Sequence, residues 1–254
     1  MTDIIILILA VMFLFLIFAR RYYILEKGHL FGKMVLKKGF NWPSRMNKED
    51  HEVTIKELIP DLSSVDPKLV VKGVNFFKKA ELELKRGNLG EAEKLYIKSL
   101  SLNPSQTEAH AKLGMLYLNQ EQYPKAELIY RKLVLAIVDD PVYFSNLGLS
   151  LFQQEKYAEA KEFYEKAIEL DSTRAGRFYS LARINHLLGD IDNAFFNIEK
   201  ALTLDPDNLD YGLTLAHWYV EKGMTADAHK LIQTIQKHWP DNEDAKELLE
   251  RMNK

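Results

Sequence analysis

The chain contains no cysteine. That absence excludes disulfides, thiolate zinc sites, iron–sulfur clusters and a cysteine nucleophile together, while leaving the redox compartment open. A surplus of positive charge is missing too. The 34 Lys and Arg stand against 36 Asp and Glu, which argues against a globally basic nucleic-acid binder. Glycine and proline number only 12 and 8 in 254 residues, so neither a collagenous nor a low-complexity chain is in view. Catalytic signatures are also lacking: there is no glycine-rich phosphate loop, no Gly-x-Ser-x-Gly and no His-Glu-x-x-His. His51-Glu52 opens the last of these but has no second histidine. His217 and Glu221 lie one helical turn apart, a spacing that could hold a metal, yet no third ligand accompanies them and a solvated helix face is the plainer reading. Carboxylates recur at helical spacing beside lysines, Glu162 with Lys166 for example, as surface ion pairs do. The sequence is therefore read as a non-enzyme, with no cofactor, no metal and no nucleic acid.

What is present is unevenly distributed. Residues 20–48 hold eight basic side chains and one acid, Glu26, leaving 26 basic against 34 acidic residues over 49–254. A basic collar thus precedes an acidic body. Ahead of the collar, Ile4–Ala19 is an unbroken apolar run of sixteen residues without charge, Gly or Pro. At ~1.5 Å per residue it spans about 24 Å, and Tyr22, Tyr23, Ile24 and Leu25 can carry it through the interface of a ~30 Å hydrocarbon core. A cleaved signal peptide would need a basic start and a small-residue cleavage site, and here Met-Thr-Asp precedes the run and Arg-Arg-Tyr-Tyr follows it. An interfacial helix would need a polar face, and a buried soluble helix would need a core around it.

Residues 1–25 are accordingly expected to be a transmembrane anchor, in contact with the lipid bilayer through residues 4–25. The flanking charges place the N-terminus outside and the C-terminal body in the cytoplasm. Among membranes, a bacterial inner membrane is preferred. Residues 26–72 read as a basic juxtamembrane tether, punctuated by Gly28, Gly32, Gly39 and Pro43. Its lysines suit anionic headgroups and equally suit a bare topology signal.

Beyond residue 72 the chain repeats with a period of 34 residues: 73–106, 107–140, 141–174, 175–208 and 209–242 align without a gap. Position 20 of each unit is Ala92, Ala126, Ala160, Ala194 and Ala228, and position 24 is Tyr96, Tyr130, Tyr164, Ile198 and Ile232. Positions 7–8 read Leu113-Gly114, Leu147-Gly148, Leu181-Ala182 and Leu215-Ala216 in the last four units. Gly87, Gly189 and Gly223 occupy position 15, where the chain must turn, and Pro104, Pro206 and Pro240 occupy position 32, where a helix must end.

This pattern resembles the tetratricopeptide repeat, with its Trp-x2-Leu-Gly-x2-Tyr, Ala-x3-Phe and Pro landmarks. The chain departs from it at position 4, which is never Trp, and at Val138 and Ser172, which stand where proline is usual. The resemblance implies an all-α class: an α-solenoid of five helix-turn-helix units. Small residues at positions 8 and 20 let paired helices approach, and the large side chain at 24 fills the space beside them. An end unit needs a cap. Glu243–Lys254 supplies one, with Ala245, Leu248, Leu249 and Met252 along one face, and Val65–Lys72 is the candidate at the other end.

By the same resemblance, the first helix of each unit lines a groove that takes an extended peptide or a partner helix. The groove residues then include Phe77, Lys112, Met115, Asn119, Asn146, Leu149, Phe152, Gln153, Tyr179, Arg183, His186 and His217. The two-carboxylate clamp of chaperone-binding members is matched only at Asn146, which disfavours chaperone tails. Tyr179, Arg183 and His186 fall on one helical face, with His217 expected nearby, and suggest an acidic group of a partner at Arg183. The alternative there is an ordinary acidic neighbour within the solenoid. The function expected is a membrane-tethered protein–protein interaction scaffold for a membrane-associated complex. A targeting or import receptor that captures client chains, and a self-associating assembly element, are the alternatives. The sequence leaves partner and oligomeric state open.

Overall fold

The computed structural model describes residues 66–252, and the anchor and most of the tether expected from the sequence lie outside them. Among the described residues there is no strand, and no helix is long and apolar enough to cross a membrane. Eleven helices follow one another: α1 (Pro67–Lys85), α2 (Leu89–Leu102), α3 (Thr107–Asn119), α4 (Tyr123–Ala136), α5 (Pro141–Phe152), α6 (Tyr157–Leu170), α7 (Ala175–Leu187), α8 (Ile191–Leu204), α9 (Leu209–Glu221), α10 (Thr225–His238) and α11 (Glu243–Met252). Every second helix of a unit begins at position 17 and ends at position 30. The repeat frame is thus kept to the residue.

The close approach inside each unit has a visible cause. A Cβ on Gly148 would stand 2.8 Å from Tyr164 Cδ2, and one on Gly114 would stand 3.0 Å from Tyr130 Cε2. Position 8 is therefore small because the tyrosine at position 24 lies across it. Units four and five solve the same contact with Ala182 beside Ile198 and Ala216 beside Ile232, all fully buried. Unit one keeps Ala80 at position 8 with Tyr96 at 24, both fully buried, so it accommodates a methyl beside the ring.

The turn at position 15 needs a left-handed backbone in every unit. Gly87, Gly189 and Gly223 have φ of 80°, 77° and 70°. Glu121 (57°) and Glu155 (61°) adopt the same conformation in units two and three, where the sequence gave no sign of it.

Proline at position 32 proves dispensable, since the second helices of units two and three also stop at position 30. In unit two Asp140 caps the next helix by accepting from the Val142 amide at 2.8 Å, with Pro141 at the first helical position. In unit three Asp171 accepts from the Thr173 amide and hydroxyl, and the buried Arg177 clamps the turn. Arg177 donates to the Asp171 carboxylate at 2.7 Å, to its carbonyl at 2.6 Å and to Ser145 Oγ at 2.9 Å.

Both ends are finished. At the front, Asp66 caps α1, accepting from the Lys68 amide at 2.8 Å ahead of Pro67. Residues 67–72, counted with the tether on sequence grounds, thus belong to the first helix. At the back, α11 buries Ala245 and Leu248 against Ala216, Ile232 and Ile235, with Asn242 accepting from the Ala245 amide.

Ion pairs also tie units together, though not always as the sequence suggested. Arg131 bridges Glu127 and Glu159, and Lys161 reaches Asp190. Lys166 pairs with Glu169 at 2.9 Å rather than with Glu162. Burial raises the pKa of the Glu162 carboxyl, and the neighbouring Glu159 and Glu165 charges add to the effect.

Candidate functional site

Each first helix packs on its own second helix and on the second helix of the preceding unit, and the first helices also meet one another, α3 with α5 and α5 with α7. Among the described residues no contact as extensive joins one second helix to the next. The first helices therefore occupy the inner side of the stack, and their outward residues form one continuous face.

The expected groove residues divide sharply on this face. Phe77 is only 8% exposed, its ring 5.9 Å from that of Tyr96, so it belongs to the core of the first helix pair. Lys112 is held by Glu81 at 3.6 Å. Asn146 donates to the Tyr130 hydroxyl at 2.9 Å. Burial pushes that phenol above its ordinary pKa, and the Asn146 bond opposes the shift. Tyr179 lies 4.6 Å from Tyr211, ring to ring, with its hydroxyl on Thr214. His186 stacks on the buried Trp218 at 4.4 Å and 4°, with Nε2 placed 3.3 Å from Glu221. What α9 supplies to His186 is thus Trp218 and Glu221 rather than His217, which is partly buried. Trp218, in the fifth unit, escaped the sequence reading because a helical-face pattern does not reveal which ring a histidine meets one unit away.

The remainder are open. Met115 is 49% exposed, Asn119 and Gln153 are exposed, and Leu149 and Phe152 are half-buried. Val142 and Leu187, which the sequence reading passed over, stand exposed on α5 and α7. Arg183 is exposed, with its guanidinium carbon 4.9 Å from the centre of the Phe152 ring and 5.7 Å from that of Tyr179. Phe152 comes from the preceding unit, so the pair forms across the seam between units three and four. Among the described residues no carboxylate pairs with Arg183, and α7 itself carries no Asp or Glu.

A depression elsewhere, between α8 and the end of α9, is lined by Phe195, Phe196, Tyr219 and Met224 together with Asp192 and Lys222. Its polar groups do not converge on a point, whereas Arg183 and the apolar residues of α3 and α5 share one face.

Comparison with known proteins agrees with this geometry. A tetratricopeptide repeat family model matches residues 83–147 and 186–252, more than half of the chain, and a second model of the same description matches 141–174, the third unit as drawn from the sequence. The chain belongs to the tetratricopeptide repeat family. No curated protein matches the sequence. Solved structures do resemble it in fold. A MamA protein is 21% identical with a TM-score of 0.62, over 65% of this chain and 90% of that one. MamA from Desulfovibrio magneticus RS-1, residues 41 to the end, is 17% identical with a TM-score of 0.64, over 68% and 97%. YrrB, described as a tetratricopeptide repeat protein with an unusual peptide-binding site, is 19% identical with a TM-score of 0.62, over 80% and 98%.

Proposed function

We propose that this protein is a membrane-tethered interaction scaffold whose tetratricopeptide repeats hold a segment of a partner protein along the face of the first helices. The observation that carries the reading is that the first helices leave Met115, Val142 and Leu187 uncovered and carry, at Arg183, a cation with no counter-ion among the described residues. Apolar side chains exposed in a row cost solvation that a bound segment would recover. The peptide-binding site named for YrrB supports the same use of the fold. No catalysis is assigned.

The tethering half of the reading rests on the Ile4–Ala19 run and the basic residues behind it, which orient the repeats toward the cytoplasm, in a bacterium at the inner membrane. Full-length protein should resist carbonate extraction, and protease added from the non-cytoplasmic side should leave the repeats intact. Recovery of mature protein beginning near Tyr22, or digestion of the repeats, overturns the topology.

The groove is tested by photocrosslinking in cells, with a photoreactive residue at Met115 or Leu149 in the full chain and at Leu128 as the control. A single partner captured from the first two positions and absent from the third supports the scaffold. A heterogeneous mixture there supports a client receptor. A second reading, self-association through the second helices, is favoured by Leu128 and Phe196, which are 59% and 56% exposed at the same repeat position. Crosslinks to the protein itself from Leu128 alone would establish it and displace the groove.

A further inference from the structure

We infer that Arg183 is an anion-reading position at which a carboxylate of the bound segment docks, with that segment's apolar side chains running toward Leu149 and Met115. The inference rests on the groove reading and adds to it the chemistry of the partner. Three observations meet at this side chain.

The first is the stack on Phe152 and Tyr179. A guanidinium uses its flat face against a ring, while its N–H donors point outward in its own plane. Stacking therefore leaves the fork available for a carboxylate and fixes its orientation, which reduces the ordering cost of binding.

The second is that the fork is unused. Arg183 makes no hydrogen bond or ion pair among the described residues, and Glu221, on the first helix of the next unit, faces His186 instead. Two other arginines of the solenoid are used in full. Arg131 and Arg177 each hold a carboxylate, and Arg131 does so while lying 5.9 Å from the Phe163 ring. Among the described residues the arrangement of arginine over phenylalanine thus occurs twice, once with its carboxylate supplied internally and once without.

The third is the surroundings. Phe152 lies on α5 against the cation, with Leu149 one turn before it on the same helix, and Met115 lies on α3. A segment that is acidic at one point and apolar on one side satisfies both. A purely basic or purely apolar segment would leave Arg183 covered and unpaired, which costs binding. The Tyr164 phenol, raised by burial, is opposed by a Ser180 hydrogen bond and by the positive charge of Arg183, so the charge reaches the inner wall as well.

The carboxylate can be a chain terminus or an Asp or Glu side chain, and the test separates them. Full-length protein in detergent micelles is screened against a library of fluorescein-labelled dodecapeptides with free C-termini. The strongest binder is remade with a C-terminal amide, and again with each Asp or Glu changed to Asn or Gln, and measured by fluorescence anisotropy. One of these changes should weaken binding to the unmodified protein by about tenfold or more and should have no further effect on Arg183→Gln. Arg183→Lys should lose about as much as Arg183→Gln, because lysine keeps the charge but neither the fork nor the stack, and its thermal melt should be unchanged. A binder that keeps its affinity on both Arg183 variants overturns the inference. If that binder is lost on Leu149→Lys, the groove reading survives it. If it also binds Leu149→Lys, or if no dodecapeptide binds, both fail.

Discussion

Gly148→Ala is the smallest perturbation that tests how these units are built. The added Cβ would lie 2.8 and 2.9 Å from Cδ2 and Cε2 of Tyr164, a ring only 4% exposed and so unable to swing aside. Overpacking of this kind costs about 1–3 kcal/mol, and alanine returns about 0.5–1 kcal/mol of the backbone entropy that glycine forfeits in a helix. A net loss of about 1–2 kcal/mol follows. Tyr164→Ile alone should also destabilise, by about 2 kcal/mol, because it opens a void and removes the phenol. The double variant, however, recreates the Ala182 and Ile198 pairing of the next unit, both fully buried in one core cluster. Its loss should fall short of the sum of the single losses by about 1 kcal/mol or more. Urea denaturation of the full-length protein, followed by far-ultraviolet circular dichroism, reads all three. Gly176→Ala is the control: its Cβ would meet only the Tyr211 hydroxyl, at 3.7 Å, so it should be neutral or stabilising. Strict additivity, or a stabilising Gly148→Ala, would refute the argument that in unit three the Tyr164 ring dictates the glycine across from it.

Glu121→Gly and Glu155→Gly should each stabilise by about 0.5–1 kcal/mol, the ~1–2 kcal/mol cost of a left-handed L-residue less the entropy that glycine gives up, and a lower urea midpoint for either would contradict this. Arg177→Ala should cost about 2 kcal/mol, since it strands Ser145 and two oxygens of Asp171, whereas Arg174→Ala on the exposed side of the same turn should change the midpoint little. The Glu127 carboxyl would be raised by burial alone, but hydrogen bonds from Lys156, Arg131 and Gln154 bring it below its ordinary value. The unfolded chain therefore binds the proton more readily, so stability should fall as the pH drops below about 4.5, and Glu127→Gln should flatten that fall in melts across pH.

Much of the architecture was legible because it recurs. The helix pairs and the Ala at position 20 follow from spacing that five units repeat, the glycine turns from three of them, and the closing helix from its own apolar face after Glu243. What escaped the sequence was supplied by single residues acting over a distance. The end of unit three depends on Arg177 of unit four, six residues beyond Asp171, which also holds Ser145 near the start of unit three, and no local propensity announces that clamp. Glu121 and Glu155 reveal the opposite limit: a turn imposed by tertiary packing overrides the preference of the residue that occupies it. Phe77 looked like a groove residue because its repeat position faces inward in the family, yet its ring is buried against Tyr96.

The same logic explains why only some of the expected groove residues are left without a partner inside the solenoid. In a solenoid each unit touches only its neighbours, so the polar and aromatic groups of the inner face serve as joints between units unless their partner is absent. Tyr179 with Tyr211 and Thr214, His186 with Trp218 and Glu221, and Asn146 with Tyr130 are such joints or internal braces. Residue type on the groove face therefore says little about binding, and pairing says more. By that criterion Arg183 differs from every other groove residue named from the sequence: it is charged, held in place by a ring from the preceding unit, and leaves its donors unspent. Because Phe152 belongs to unit three and Arg183 to unit four, the position exists only when those units are in register. Any change that loosens the seam between them, Arg177→Ala included, should therefore weaken recognition at Arg183 without touching a single residue of the groove.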